Sequence, residues 1–233
     1  MKICFFSDIH GNLLALKGFM EQTVKQDIDK YIFGGDVFGY YYHADEIIDI
    51  FRKREITCLL GNHDKMFLDL ADGKVQEAEL IAKYGNSYSG IIGQVKEENI
   101  SYLRTLPLFY ELKQDNIRMA FFHGGPQEYL NMRIYPDTEI LDKNYFDKYD
   151  YVFVGHTHHK MERRIGNCMV INPGSLGQQR DGKGCSYLVF DTKTKEIQRF
   201  TVEYSKEELV KEINRKETNA IMRERLIEVV FRK

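Results

Sequence analysis

The chain has 233 residues, 43 % apolar and 29 % charged, which is enough to bury a substantial core and unlike a disordered segment. Its 33 basic against 35 acidic residues leave a formal charge of −2, so no electrostatic bias favours nucleic acid or an anionic membrane. No stretch approaches the ~20 apolar residues that span a bilayer, and a soluble, cytoplasmic protein is expected.

Residues 2–7 read as an apolar strand running into Ser7-Asp8-Ile9-His10. Asn12 is placed to cap a helix through about Lys25, with Leu13, Leu16, Met20 and Val24 on one stripe. Strand Tyr31–Phe33 closes on Gly34-Gly35-Asp36, and a helix from about Asp45 to Arg54 follows, with Ile47, Ile48, Ile50 and Phe51 as its apolar face. Ile56–Leu60 reads as a third buried strand feeding a loop, Gly61-Asn62-His63-Asp64. This βαβαβ order implies a parallel sheet with right-handed crossovers.

From 66 to 105 strand-like alternation is missing, and helices are expected over 77–92 and 96–104, the first loosened by Gly85. Shorter strands follow at Leu108–Leu112, Ile117–Phe122, Tyr151–Val154, Cys168–Ile171, Ser186–Phe190 and Ile197–Val202, which implies a second sheet packed on the first. Ser205-Lys206-Glu207-Glu208 is a capping box opening a C-terminal helical segment at about 205–233. Its apolar stripe of Leu209, Ile213, Leu226 and Val230 reads as core or as the seam of a homodimer. The cysteines Cys4, Cys58, Cys168 and Cys185 lie singly, without Cys-x-x-Cys spacing, as buried thiols of a reducing compartment do. One domain over 1–233 is expected, with the 66–105 stretch as a helical insertion.

The chemistry lies at the strand ends. Asp8 and His10, Asp36, Asn62, His123, and His156 with His158 each follow an apolar run, on five separate strands. Seven candidate ligands exceed the four of a tetrahedral zinc site. They suit two ions about 3.5–4 Å apart sharing a bridging carboxylate, an arrangement used to cleave phosphate esters. Imidazole and oxygen donors without thiolate are compatible with Mn, Fe, Zn, Ni or Co.

In order and spacing, Asp8-x-His10, Gly35-Asp36, Gly61-Asn62-His63-Asp64, His123 and Gly155-His156-Thr157-His158 resemble the calcineurin-like metallophosphoesterase superfamily, from residue 3 to about 190. Asn172 to Gly182 is similar to the tail motif of its small bacterial and archaeal phosphodiesterase branch. That branch usually has Pro at the position of Gln179, and a Gly-Tyr-Gly-Pro turn in place of Gly39-Tyr40-Tyr41-Tyr42-His43.

The resemblance implies a four-layer αββα sandwich of two mixed sheets flanked by helices, in the α+β or α/β class. It implies one divalent metal ion on Asp8, His10, Asp36 and His158 and a second on Asp36, Asn62, His123 and His156, manganese being one option. A bridging water, deprotonated near neutral pH, would then attack phosphorus in line. His63 is expected to be catalytic, giving a hydrogen bond or a proton to the phosphate or leaving group, with Asp64 orienting it. Arg180 is suited to grip a phosphate, and Tyr41, within the Tyr40–His43 cluster, to stack on a substrate ring. The implied activity is hydrolysis of a small phosphate ester by a phosphodiesterase or phosphatase. Three alternatives stay open: a catalytically silent scaffold on the same fold; a metal-dependent nuclease, which would want a basic, aromatic-lined groove; and a protein phosphatase, which would need a wide open site for a protein loop.

Overall fold

Every residue from Ile3 to Phe6 is fully buried, and a strand covered on both faces belongs at the middle of a sheet. This strand, β1 (Lys2–Phe6), pairs parallel with β2 (Lys30–Phe33) and antiparallel with β9 (Ser186–Asp191). With β3 (Thr57–Cys58) and β10 (Ile197–Thr201) the order is β10-β9-β1-β2-β3. The crossovers are α1 (Leu13–Thr23) and α2 (Ala44–Lys53), both packed on the outer face. A second five-stranded sheet holds β4 (Phe109–Gln114), β5 (Ile117–Phe122), β6 (Tyr151–Phe153), β7 (Lys160–Ile165) and β8 (Cys168–Pro173), in the order β4-β5-β6-β8-β7. The structure, a computed structural model, describes residues 1–139 and 141–232.

The sheets are mixed and pack face to face as an α/β sandwich. Strand alternation sends Ile3, Phe5, Ile32, Leu188 and Phe190 inward from the first sheet to meet Met119, Phe121, Phe153 and Ile171 of the second. The rings of Phe121 and Phe153 stack at 4.7 Å, and Phe5 leans on both. Truncating Phe121 to Ala would cost about 3–5 kcal/mol in transfer and cavity energy. On the outer side Cys4, Phe6 and Phe33 meet Leu16, Phe19, Ile47 and Phe51 of the two crossover helices. The outer face of the second sheet is covered by the 124–150 connection, through Ile134, Phe146 and Tyr149.

The structure departs from the local reading in three places. The stretch after the third strand is not a loop but a helix, α3 (Asn62–Ala71). Asp64 in its first turn accepts the Gly61 amide at 2.9 Å, and Phe67, Leu68 and Leu70 bury its inner face. The helix expected over 77–92 stops at α4 (Glu77–Tyr84), because Gly85 takes φ +86°. A 3₁₀ turn over Asn86–Tyr88 and another over Ile91–Gln94 follow before α5 (Glu97–Leu103). Strand β7 was not anticipated: it is an edge strand in which only Met161 and Ile165 are buried, with charged residues between them.

At the C-terminus Ser205 Oγ accepts the Glu208 amide at 3.2 Å and opens α6 (Lys206–Lys216), which pairs with α7 (Ala220–Phe231). Leu209, Ile213, Leu226 and Val230 are buried with Tyr41 in one cluster of this same chain. Of the two uses expected of this stripe, core or dimer seam, it serves as core. Lys233, the last residue of the expected helical segment, lies outside the described residues. Among the described residues no helix is long and apolar enough to cross a membrane.

Candidate metal centre

The strand ends deliver their ligands through backbone that side chains seldom adopt. Asp8, His10, Asp36, His156 and His158 all have positive φ, between 48° and 68°. Such left-handed positions cost roughly 1–3 kcal/mol each and persist only where surrounding structure holds them. Here the holding is visible: Asp8 and His10 donate their amides to the carbonyls of Gly35 and Asp36, both at 3.0 Å. The His156 amide donates to both carboxylate oxygens of Asp8 at 3.1 Å.

Three histidines are fixed in the same sense. The Nδ1–H groups of His10, His123 and His158 donate to the carbonyls of Phe38, Gly34 and Gln178, at 2.6, 2.9 and 2.5 Å. A carbonyl only accepts, so each Nδ1 carries a proton, and the Nε2 atoms of His10 and His158, held low by burial, present lone pairs. The three ε-nitrogens converge on one another and on oxygen atoms. His10 Nε2 and His158 Nε2 are 3.1 Å apart, with Asp8 Oδ1 3.3 Å from the latter. His123 Nε2 lies 2.8 Å from Asn62 Oδ1 and 3.3 Å from Asp36 Oδ2.

Asp36 stands between the two groups. Its Oδ1 accepts the His63 amide at 2.8 Å, while Oδ2 faces His123 and, at 3.7 Å, His10. Asp8, His10 and His158 form one set whose ligand atoms lie within 4.8 Å of one another; Asp36, His123 and His156 form a second, and His10, Asp36 and His63 a third. Acceptors gathered this closely in a buried cluster are costly unless a proton or a cation sits among them. The donor set fits divalent ions.

Titration follows the same logic. Burial pulls His10 and His158 down from the usual histidine range, and takes His156 to about 4. Burial also disfavours a charged His123, but the neighbouring Asp36 outweighs it and lifts the ring to about 9. For Asp8 and Asp36 burial opposes ionisation, and the surrounding histidines overcome it and hold both well below the usual carboxylate range.

His63 and Asp64 sit beside this cluster in the first turn of α3 and take different partners. Asp64 accepts from four main-chain amides, those of Asp36, Val37, Phe38 and Gly61. None of these bonds reaches the His63 ring, so Asp64 shapes the backbone around Asp36 instead of orienting His63. Burial and the charge of Asp36 push its carboxyl up to about 6, and the amides pull the other way. The His63 ring is held by Tyr88, whose hydroxyl oxygen lies 3.2 Å from Nδ1, and by Tyr84, edge-on at 4.5 Å between centroids. Burial takes His63 to about 4.

The two candidate substrate residues separate. Arg180 comes to the rim, its Nη2 donating to the hydroxyl of Tyr40 at 2.9 Å and to Gln178 Oε1 at 3.2 Å. Tyr41 does not: it is 2 % exposed, packed on the C-terminal helices, and its hydroxyl has no partner. Its neighbour Tyr40 takes the place, with its ring 4.8 Å from His10 and 5.3 Å from His63. His159 lies outside the cluster, donating Nδ1–H to the Thr157 carbonyl at 2.7 Å.

Sequence reasoning passed over Tyr84, Tyr88 and Arg133. The first two sit in a stretch whose only visible signal was helical periodicity. Arg133 donates Nε–H to His156 Nε2 at 3.3 Å from an irregular loop, with nothing in its flanking residues to mark it.

Three comparisons bear on this geometry. The family model for the calcineurin-like phosphoesterase superfamily domain matches residues 1–195. An uncharacterized protein of Methanocaldococcus jannaschii is 32 % identical over 228 residues, covering 87 % of each chain, and a phosphodiesterase of the same organism is 24 % identical, covering 87 % of this chain and all of its own. The crystal structure of a metallophosphoesterase from Sphaerobacter thermophilus has the same fold, with TM-score 0.76 at 23 % identity over 97 % of this chain and 98 % of that one.

Proposed function

The chain belongs to the calcineurin-like phosphoesterase superfamily, and from that premise we propose that it is a two-metal-dependent hydrolase of small phosphate esters, a phosphodiesterase or phosphatase. The observation that carries this reading is the meeting of two sets of buried acceptors at one carboxylate, Asp36. Asp8, His10, Asp36 and His158 would hold one ion, and Asp36, Asn62, His123 and His156 the other. When bound, such ions supply Lewis-acid polarisation of phosphoryl oxygens and lower the pKa of water.

The chain's own residues do the rest. The δ-nitrogens of His10, His123 and His158, anchored on carbonyls, keep their rings from turning and preorganise the cluster. His63 donates a hydrogen bond toward the phosphoryl group from the first turn of α3. Arg180, already extended across the Tyr40 hydroxyl, takes a phosphate oxygen at the rim, and the Tyr40 ring forms the wall beside it. Arg133 supplies a second cation at the His156 side.

A silent scaffold is disfavoured because each ligand type expected of the site is present and converges. A nuclease is disfavoured by a net charge of −2. Four free, buried cysteines are in keeping with action in the cytoplasm, as one domain. The deciding experiment loads the purified protein with Mn²⁺, verifies the metal content by elemental analysis, and assays nitrophenyl mono- and diesters, cyclic nucleotides and dinucleotide polyphosphates. Turnover that disappears on chelation supports the reading. A protein carrying two ions per chain and silent on every ester would return it to the scaffold.

A further inference from the structure

Tyr88 is fully buried at the end of the 3₁₀ turn that follows Gly85. The turn is tied down from elsewhere in the chain: the Asn86 amide donates to Glu217 Oε2 at 2.8 Å, and Asn86 Nδ2 donates to the Lys216 carbonyl and to Thr218 Oγ1. The insertion and the link between α6 and α7 thus place one hydroxyl together. Among the described residues, its hydrogen-bond partner is His63 Nδ1 alone. Gly39, with φ +93°, leaves room for this contact, since a Cβ there would come 2.5 Å from Nδ1.

The direction of that bond is decided by accounting for protons. If Nδ1 carried a proton, Tyr88 would accept it, and the phenolic O–H would be buried without an acceptor, at about 1–3 kcal/mol. If Nδ1 carries a lone pair, the phenol donates and both groups are satisfied. We propose that Tyr88 is the positioning residue for His63: its hydroxyl donates to Nδ1 and fixes the ring as the Nε2–H tautomer, within reach of His10 and Asp36.

This has a chemical consequence, which rests on the phosphoesterase reading given above. With Nδ1 occupied as an acceptor, the Nε2–H is turned toward the cluster, where it can donate an N–H···O bond to a phosphoryl oxygen.

The test begins on metal-free, ¹⁵N-labelled full-length protein, where a long-range ¹H–¹⁵N correlation spectrum reports which ring nitrogen of His63 is protonated. The expected result is Nε2–H with an acceptor Nδ1, relaxing toward a mixture in Tyr88→Phe. In the metal-loaded enzyme, Tyr88→Phe should lower kcat roughly fivefold to tenfold, the worth of one such hydrogen bond. The factor should vanish in a His63→Gln background. An Nδ1–H tautomer in the wild type, or a His63 spectrum indifferent to Tyr88→Phe, would overturn the proposal. Should Tyr88→Phe fail to fold, the wild-type spectrum still decides. Inactivity on every ester would remove the phosphoesterase reading while leaving the spectrum to judge the hydrogen bond.

Discussion

His10 and His158 bring their ε-nitrogens to 3.1 Å although each δ-nitrogen already donates to a carbonyl, so two lone pairs face each other. A divalent ion between them would take both lone pairs. Adding Mn²⁺ to chelator-treated protein should raise the melting temperature, by the equivalent of about 2.7 kcal/mol at a hundredfold excess over Kd. Chelation should also abolish ester hydrolysis. A melting curve indifferent to every divalent ion tried would contradict the site.

Asp36 lies between the two groups, its Oδ2 3.3 Å from His123 Nε2 and 3.7 Å from His10 Nε2, and its Oδ1 accepts the His63 amide. Asp36→Asn should lower the metal content at both positions, whereas Asp8→Asn should lower it mainly at one. Elemental analysis of the two variants makes the comparison, and equal stoichiometry in both would remove Asp36 from its bridging place.

Tyr41 and Arg180 should behave oppositely. The Tyr41 hydroxyl is buried without a partner, so Tyr41→Phe should leave kcat and KM unchanged and stabilise the fold by up to about 1 kcal/mol in urea melts. Arg180→Ala should raise KM roughly tenfold through loss of a charge-assisted hydrogen bond to phosphate. A kinetic defect in Tyr41→Phe would mean that the ring reaches substrate after all.

A pH effect on stability is expected far from the cluster. His43, at the start of α2, bonds Glu212 of α6 through Nε2 at 2.7 Å and Glu46 through Nδ1 at 3.1 Å, while Lys216 and Arg215 reach the same Glu212 oxygen. The hydrogen bond to Glu212 raises the His43 pKa over the opposing effect of burial. A raised histidine contributes stability that is fully present below the ordinary value of about 6.5 and is lost as pH rises through the higher folded-state value. His43→Ala should therefore cost about 1 kcal/mol at pH 5.5 and progressively less under alkaline conditions. Urea midpoints across that range measure it, and a pH-independent difference would exclude the ion pair as its cause.

Much of the architecture was legible locally, for a shared reason. β1, β2, β5 and β6 are apolar on both faces, and a continuous apolar run that ends in Asp or His reports a buried strand with a polar group at its mouth. Six of the seven candidate ligand positions follow that pattern, and Asn62 stands after the short β3. Three features escaped it. β7 is an edge strand whose alternation is diluted by Glu162, Arg163 and Arg164. α3 begins at the ligand Asn62 itself, so its polar first turn looked like loop. The break at Gly85 depends on a left-handed residue inside an otherwise helical period.

The sequence by itself determined which side chains could bind metal, because donor type and placement after a strand are local properties. Tertiary structure decided how they are used. Adjacent residues point to opposite sides, so Tyr40 walls the site while Tyr41 joins the C-terminal core, a choice invisible in a run of three tyrosines. The partner of His63 is 25 positions away, and that of His156 is 23, on segments with no periodicity linking them to the strand ends. Asp64, adjacent to His63 in the chain, is drawn instead to four amides that only folding brings within its reach. Which groups satisfy a buried donor or acceptor is settled by what the fold leaves nearby, and sequence spacing carries no record of that.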